Sequence, residues 1–130
     1  MLATDDTDSN SSHVAERGNW GYVEYGRLGD GSSPAKDFVE ALAIKDKAKL
    51  VHLFKQLANT GRISNKEKFR CERGKIFSFK VGQIRIACYR SGNRWILTHG
   101  FNKKQDRWPP RELERAEELM YRINELRGGA

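Results

Sequence analysis

The stretch from Lys75 to Phe101 constrains this chain most, because its apolar residues recur at every second position. Ile76, Phe77, Phe79 and Val81 lie on a first run, Ile84, Ile86 and Cys88 on a second, and Ile96, Leu97 and Phe101 on a third. Gly74, Gly82 and Ser91-Gly92-Asn93 punctuate the runs at the spacing of a β-meander. Three short strands, Lys75–Val81, Gln83–Arg90 and Arg94–Phe101, are therefore expected.

A period of two assigns faces. Phe77, Phe79 and Val81 point one way, and Ile76, Ser78 and Lys80 the other. On the next strand Ile84, Ile86 and Cys88 oppose Arg85, Ala87 and Tyr89. The first set on each strand reads as a core beneath helices, and the second as an open, positively charged surface. Arg94–Phe101 is apolar on both sides, which marks a central strand and leaves its facing unsettled.

The rest of the chain completes an α+β domain. Residues 1–19 are rich in Asp, Ser, Thr and Asn and read as a disordered acidic tail. Trp20–Tyr25 has the aromatic and β-branched content of a first strand. Ser33-Pro34 opens a helix, Ser33 as N-cap and Pro34 at the first helical position. A second helix capped by Asp46 carries Leu50, Leu53, Phe54 and Leu57 on one stripe and ends at Gly61, so the two predict an N-terminal helical hairpin. A short edge strand is expected near Lys68–Cys71. After Pro109-Pro110, Arg111–Arg127 predicts a C-terminal helix with Leu113, Ala116, Leu119, Met120, Ile123 and Leu126 on its stripe.

At 130 residues the chain is long enough for one core, and its charge is uneven. Residues 1–33 carry six acids and two bases, whereas Arg62–Arg107 holds 13 bases against three acids. Such a concentration favours an anionic partner, most often nucleic acid. No run approaches a membrane span, and the start lacks the basic and apolar regions of a secretory signal. Cys71 and Cys88 have no CxxC spacing, so reduced thiols in a cytoplasmic protein are expected. The three histidines show no metal-ligand spacing, and no cofactor motif is present, so neither a metal nor a cofactor is expected.

What remains for chemistry is cations, one sheet tyrosine and one sheet histidine. That inventory suits metal-independent cleavage of RNA, in which a ribose 2′-hydroxyl attacks its own 3′-phosphate. Cations stabilise the phosphorane, and a positioned acid or base assists. Arg85 is the first candidate for the transition-state cation, because its planar fork matches phosphate oxygens. His99 is a candidate acid or base and Tyr89 a candidate stacking platform. Arg90, Arg107, Lys68 and Arg70 are candidate RNA contacts, with Trp108 beside Arg107.

Residues 20–127 resemble the RelE/HigB superfamily of toxin–antitoxin toxins, in particular its phage Gp49-like HigB branch. The resemblance rests on element order and local matches: Pro34-x-x-x-Phe38, Leu57-x-x-x-Gly61, Lys75 to Lys80, Ile84 to Tyr89, and Leu97 to Lys104 followed by Pro110-x-Glu112-x-x-x-Ala116. It implies a small RelE-like toxin domain over 20–127, with a mostly antiparallel sheet, that enters the ribosome and cleaves mRNA. It also implies a cognate antitoxin, helix-turn-helix and HigA-like, that forms a hetero-oligomer with the toxin. Carried onto this sequence, Lys80 and Arg85 occupy the cationic strand positions, and Lys103 or Lys104 the cation after the last strand. Lys80 stands where the family more often has Arg. Two alternatives stay open: a ParE-like gyrase inhibitor on the same scaffold, and a non-catalytic RNA- or protein-binding module.

Overall fold

A computed structural model describes residues 13–128. Six strands form one sheet: β1 (Val14–Arg17), β2 (Tyr22–Tyr25), β3 (Phe69–Arg73), β4 (Ile76–Val81), β5 (Ile84–Ser91) and β6 (Arg94–Asn102). Helices α1 (Pro34–Glu40) and α2 (Ile44–Thr60) follow β2, and α3 (Pro110–Leu126) follows β6. The sheet order is β1-β2-β6-β5-β4-β3. Its neighbours are antiparallel except β2 and β6, which run parallel. The chain is thus α+β, and β6 holds the central place its two-sided apolar character called for.

The tail expectation extends too far. Residues 1–12 lie outside the described residues, but Val14–Arg17 forms an edge strand paired with β2. Its Ala15 packs on the core, which the polar composition around it conceals. The predicted edge strand near residue 68 is present as β3, shifted by one residue at its start.

Local signals place the helices. The Ser33 hydroxyl accepts the Lys36 N–H at 3.3 Å, and Pro34 opens α1. Helix α2 begins earlier than expected, with Ala43 at the cap, so Asp46 sits in the first turn and favours the N-terminal dipole without capping it. Gly61 closes α2 at φ 82°, and its N–H donates to the Leu57 carbonyl at 2.7 Å. The short link 41–43 keeps the two helices close, yet each rests chiefly on the sheet. Helix α1 packs on β6 because Gly100 leaves room for the Phe38 ring, which a Cβ there would strike.

Two cores flank the sheet. Beneath α1 and α2 lie Val39, Leu50, Phe54, Leu57, Phe79, Ile86, Trp95 and Leu97. On the other face α3 buries Ala116, Leu119, Met120 and Ile123 against Ile76, Ala87, Tyr89 and Ile96. This second core corrects the expected open surface. The α3 stripe needs an apolar partner, and the mixed strand face supplies one except at its cationic end. Leu126, expected on the stripe, remains exposed. Among the described residues, no helix is long and apolar enough to cross a membrane.

Candidate nucleic-acid site

Register gathers the cations at one end of the α3-side face. Lys80 on β4 stands directly opposite Arg85 on β5, and Arg85 opposite Phe101 on β6. Like charges facing across a sheet are unfavourable, so this pair costs stability that an arriving anion would restore. Arg70 on β3 pairs with Ser78 and points to the same face. Lys103, just past β6, is tied in by its backbone N–H, which donates to the Gln83 carbonyl at 2.7 Å.

The turn between β4 and β5 also fixes Arg85. Its Nη1 donates to the Gly82 carbonyl at 2.7 Å and to the Ile84 carbonyl at 2.9 Å. One corner of the guanidinium is thereby held, and with Arg85 only 7% exposed just the edge of the fork meets the surface. Burial holds Arg85 below its usual proton affinity, Glu72 works against that, and Arg70 adds to it. Lys80 is pushed down first by burial and then by Arg85, Arg70 and Lys103, with Glu72 opposing. A lysine moved toward neutrality by desolvation and neighbouring cations is suited to proton transfer.

His99 reaches the same face through an irregularity that alternation could not reveal. The pairing of β5 with β6 slips between Ala87 and Cys88, opposite Thr98, so Leu97 and His99 fall on opposite faces. The His99 ring is buried, its Nε2 3.0 Å from Glu112 Oε1 and its face stacked on Phe101 at 5.7 Å. The carboxylate selects the tautomer with its proton on Nε2. This contact pins the first turn of α3 to the sheet. Burial lowers the proton affinity of His99, and the Glu112 hydrogen bond only partly offsets it. Below the ordinary value of 6.5 the unfolded ring therefore binds a proton that the folded ring resists. Stability is full above that value and declines as pH falls through it. We expect the melting temperature to drop from pH 7.5 to 5.5, and to drop less in His99→Gln, as followed by circular dichroism.

Other expected residues are distributed differently. Tyr89 is covered by α3, and burial pushes its hydroxyl up to about 12, so it offers neither a face to a base nor an acid at neutral pH. Arg90 faces the opposite side, its guanidinium 5.1 Å from the Trp20 ring centre. Trp108 is buried and packs edge-on against Phe101 at 4.7 Å, which anchors the 103–109 loop rather than presenting a ring to a base. Lys104 and Arg107 are exposed on that loop. Lys68 is exposed beside β3, and its carbonyl accepts the Lys80 N–H at 2.9 Å. Five candidates thus share one end of the sheet (Lys68, Arg70, Lys80, Arg85 and Lys103), while Tyr89 and Arg90 are set apart from it.

Two acids escaped the reading from residues alone. Glu112 was visible only as part of a motif, without a partner. Glu72 was visible as an acid inside a basic run, and it stands among the cations. A cavity of about 690 Å³ lies at the other edge of the sheet, where Glu24 bridges Arg94 and Arg127. None of the clustered cations lines it.

No curated protein matches the chain. Residues 37–121, which run from α1 into α3 and include the whole cation cluster, match the family described as phage-derived protein Gp49-like (DUF891). The chain belongs to this Gp49-like family, the family of the HigB/RelE-like toxins.

Proposed function

We propose that the protein is the toxin of a toxin–antitoxin pair and cleaves mRNA on the ribosome. The observation that supports this most is the cross-strand pair of half-buried Lys80 and buried Arg85, with Arg70 and Lys103 beside it at one end of the sheet. Cations spaced along a surface match the repeated charges of a nucleic-acid backbone.

In this reading Lys80, in its neutral form, takes the proton from a ribose 2′-hydroxyl. The 2′-oxygen then bonds to the adjacent phosphorus, and the bond from phosphorus to the 5′-oxygen breaks. The products are a 2′,3′-cyclic phosphate and a 5′-hydroxyl, whose proton comes from solvent or a neighbouring cation. Arg85 stabilises the extra charge on the phosphorane, because its anchored fork needs no reorganisation. Lys103 and Lys104 position the scissile phosphate, and Arg70, Lys68 and Arg107 hold the strand on either side. His99 acts through Glu112 on the placement of α3. A cognate helix-turn-helix antitoxin, HigA-like, neutralises the toxin by masking the basic surface in a hetero-oligomer.

Lys80→Met tests the proton-transfer role. Its cleavage rate on programmed ribosomes is expected to fall by about a hundred- to ten-thousand-fold. In the wild type the rate should rise with pH along a limb that lies below the ordinary lysine range, and that limb should vanish in the variant. Primer extension on ribosome-bound mRNA across a pH series reads both. An unchanged pH profile in Lys80→Met would assign proton transfer elsewhere.

A further inference from the structure

Strand β3 delivers one acid into this cluster beside Arg70. Arg70 pairs with Ser78 and Cys71 with Phe77, but Arg73, not Glu72, pairs with Ile76. Glu72 lies two residues beyond Arg70, so alternation puts it on the same face, and the bulge there moves Arg73 rather than Glu72 to the Ile76 position. Its side chain is only 12% exposed, and Oε2 accepts the hydroxyl proton of the fully buried Ser78 at 2.5 Å. The same oxygen lies 3.8 Å from Arg70 Nε. Among the described residues, the charged groups acting on Lys80 are Arg70 and Glu72 from β3, Arg85 from β5 and Lys103 after β6. Glu72 is the single acid of that set.

We propose that Glu72 is a positioning residue of the cation cluster: a fixed counter-charge, placed beside Arg70 by strand alternation and locked by Ser78, that holds Arg70, Lys80 and Arg85 together on one face before RNA arrives. The inference deepens the RNA-cleavage reading and rests on it. Without such a charge, three cations on adjacent strands repel one another, and the long side chains of Lys80 and Arg70 turn outward to water. The carboxylate occupies the place that RNA phosphate later shares. It therefore competes weakly with RNA while keeping the cations in reacting geometry. Orientation of this kind governs turnover more than affinity.

The test compares wild type, Glu72→Gln, Glu72→Asp and Ser78→Ala in the full chain. Lys80 is followed by NMR of ¹³C-labelled lysine, and RNA binding and cleavage are measured with a short mRNA on ribosomes. Glu72→Gln should move the Lys80 titration to lower pH. It should also lower kcat by about ten- to a hundred-fold, with RNA binding equal or tighter. Glu72→Asp should restore both readings in part, and Ser78→Ala should shift the titration in the same direction by less. An unmoved Lys80 titration in Glu72→Gln, or weaker RNA binding, would overturn the proposal. Should wild type fail to cleave while the Lys80 titration still moves in Glu72→Gln, the nuclease reading fails and the positioning role stands. If wild type cleaves and the titration stays fixed, the positioning role alone fails.

Discussion

Arg85→Ala should lower ribosome-dependent cleavage by about a hundred- to a thousand-fold, the loss typical of one oriented donor at a developing oxyanion. Its Nη1 is fixed by the carbonyls of Gly82 and Ile84, so the rest of the fork is aimed before RNA binds. Arg85→Lys keeps the charge but loses both the fork and its anchor. It should recover only a small part of the rate, because a lysine ammonium is a point charge on a flexible stem. Arg85→Ala also relieves the repulsion with Lys80, its direct cross-strand neighbour. We therefore expect little net loss of stability in Arg85→Ala, about 1 kcal/mol in either direction. A melting curve matching wild type, beside a collapse of single-turnover cleavage, separates a catalytic loss from unfolding. Retention of full activity would remove Arg85 from the chemistry.

The largest expected effect on stability lies on the opposite face. Phe54 on α2 is fully buried and meets Phe79 edge-on with ring centres 4.9 Å apart. Phe79 contacts Phe69 at the same distance, and Phe69 and Phe77 both pack on Trp95. Removing the Phe54 ring takes apolar surface from the core and leaves a void that β4 and α2 cannot both close. Phe54→Ala should cost about 3–5 kcal/mol. Against a domain stability of roughly 5–15 kcal/mol, that consumes much of the margin. Ile44→Ala is the matched control: Ile44 is 86% exposed, and its removal should change stability by less than about 0.5 kcal/mol. Urea unfolding of the two variants gives the contrast directly. A Phe54→Ala protein as stable as wild type would mean that the α2 core does not carry the fold.

Alternation made β4 and β5 legible, with their faces, because neither strand is interrupted and each has one apolar side, broken only by Arg90 at the end of β5. Ser33 and Gly61 likewise announced the start of α1 and the end of α2, since those signals act within one turn of chain. Three features were out of reach for the same physical reason: each depends on what a distant segment does. The slip opposite Thr98 that turns His99 toward α3 breaks the period of two. The bulge at Glu72, which brings Arg73 opposite Ile76 and onto Glu117 of α3, leaves no mark in its strand, whose residues look polar and irregular. The destination of the α3 stripe depends on which sheet face still lacks a cover. That choice hid Tyr89 and left Arg70 exposed and Lys80 half-buried at the cationic end of the face. The strand β1 was obscured by its surroundings, because a four-residue edge strand with one packed Ala15 has almost no apolar signature.

The central claim, that these gathered cations cut translated RNA, is tested most directly by mapping mRNA 5′ ends after induction of wild type and Arg85→Ala at equal protein levels. Wild type should give new 5′-hydroxyl ends in register with codons, confined to translated messages, and Arg85→Ala should lose them. Equal cutting of untranslated RNA, ends that persist in Arg85→Ala, or growth arrest with gyrase-dependent DNA breaks and intact mRNA would contradict the account.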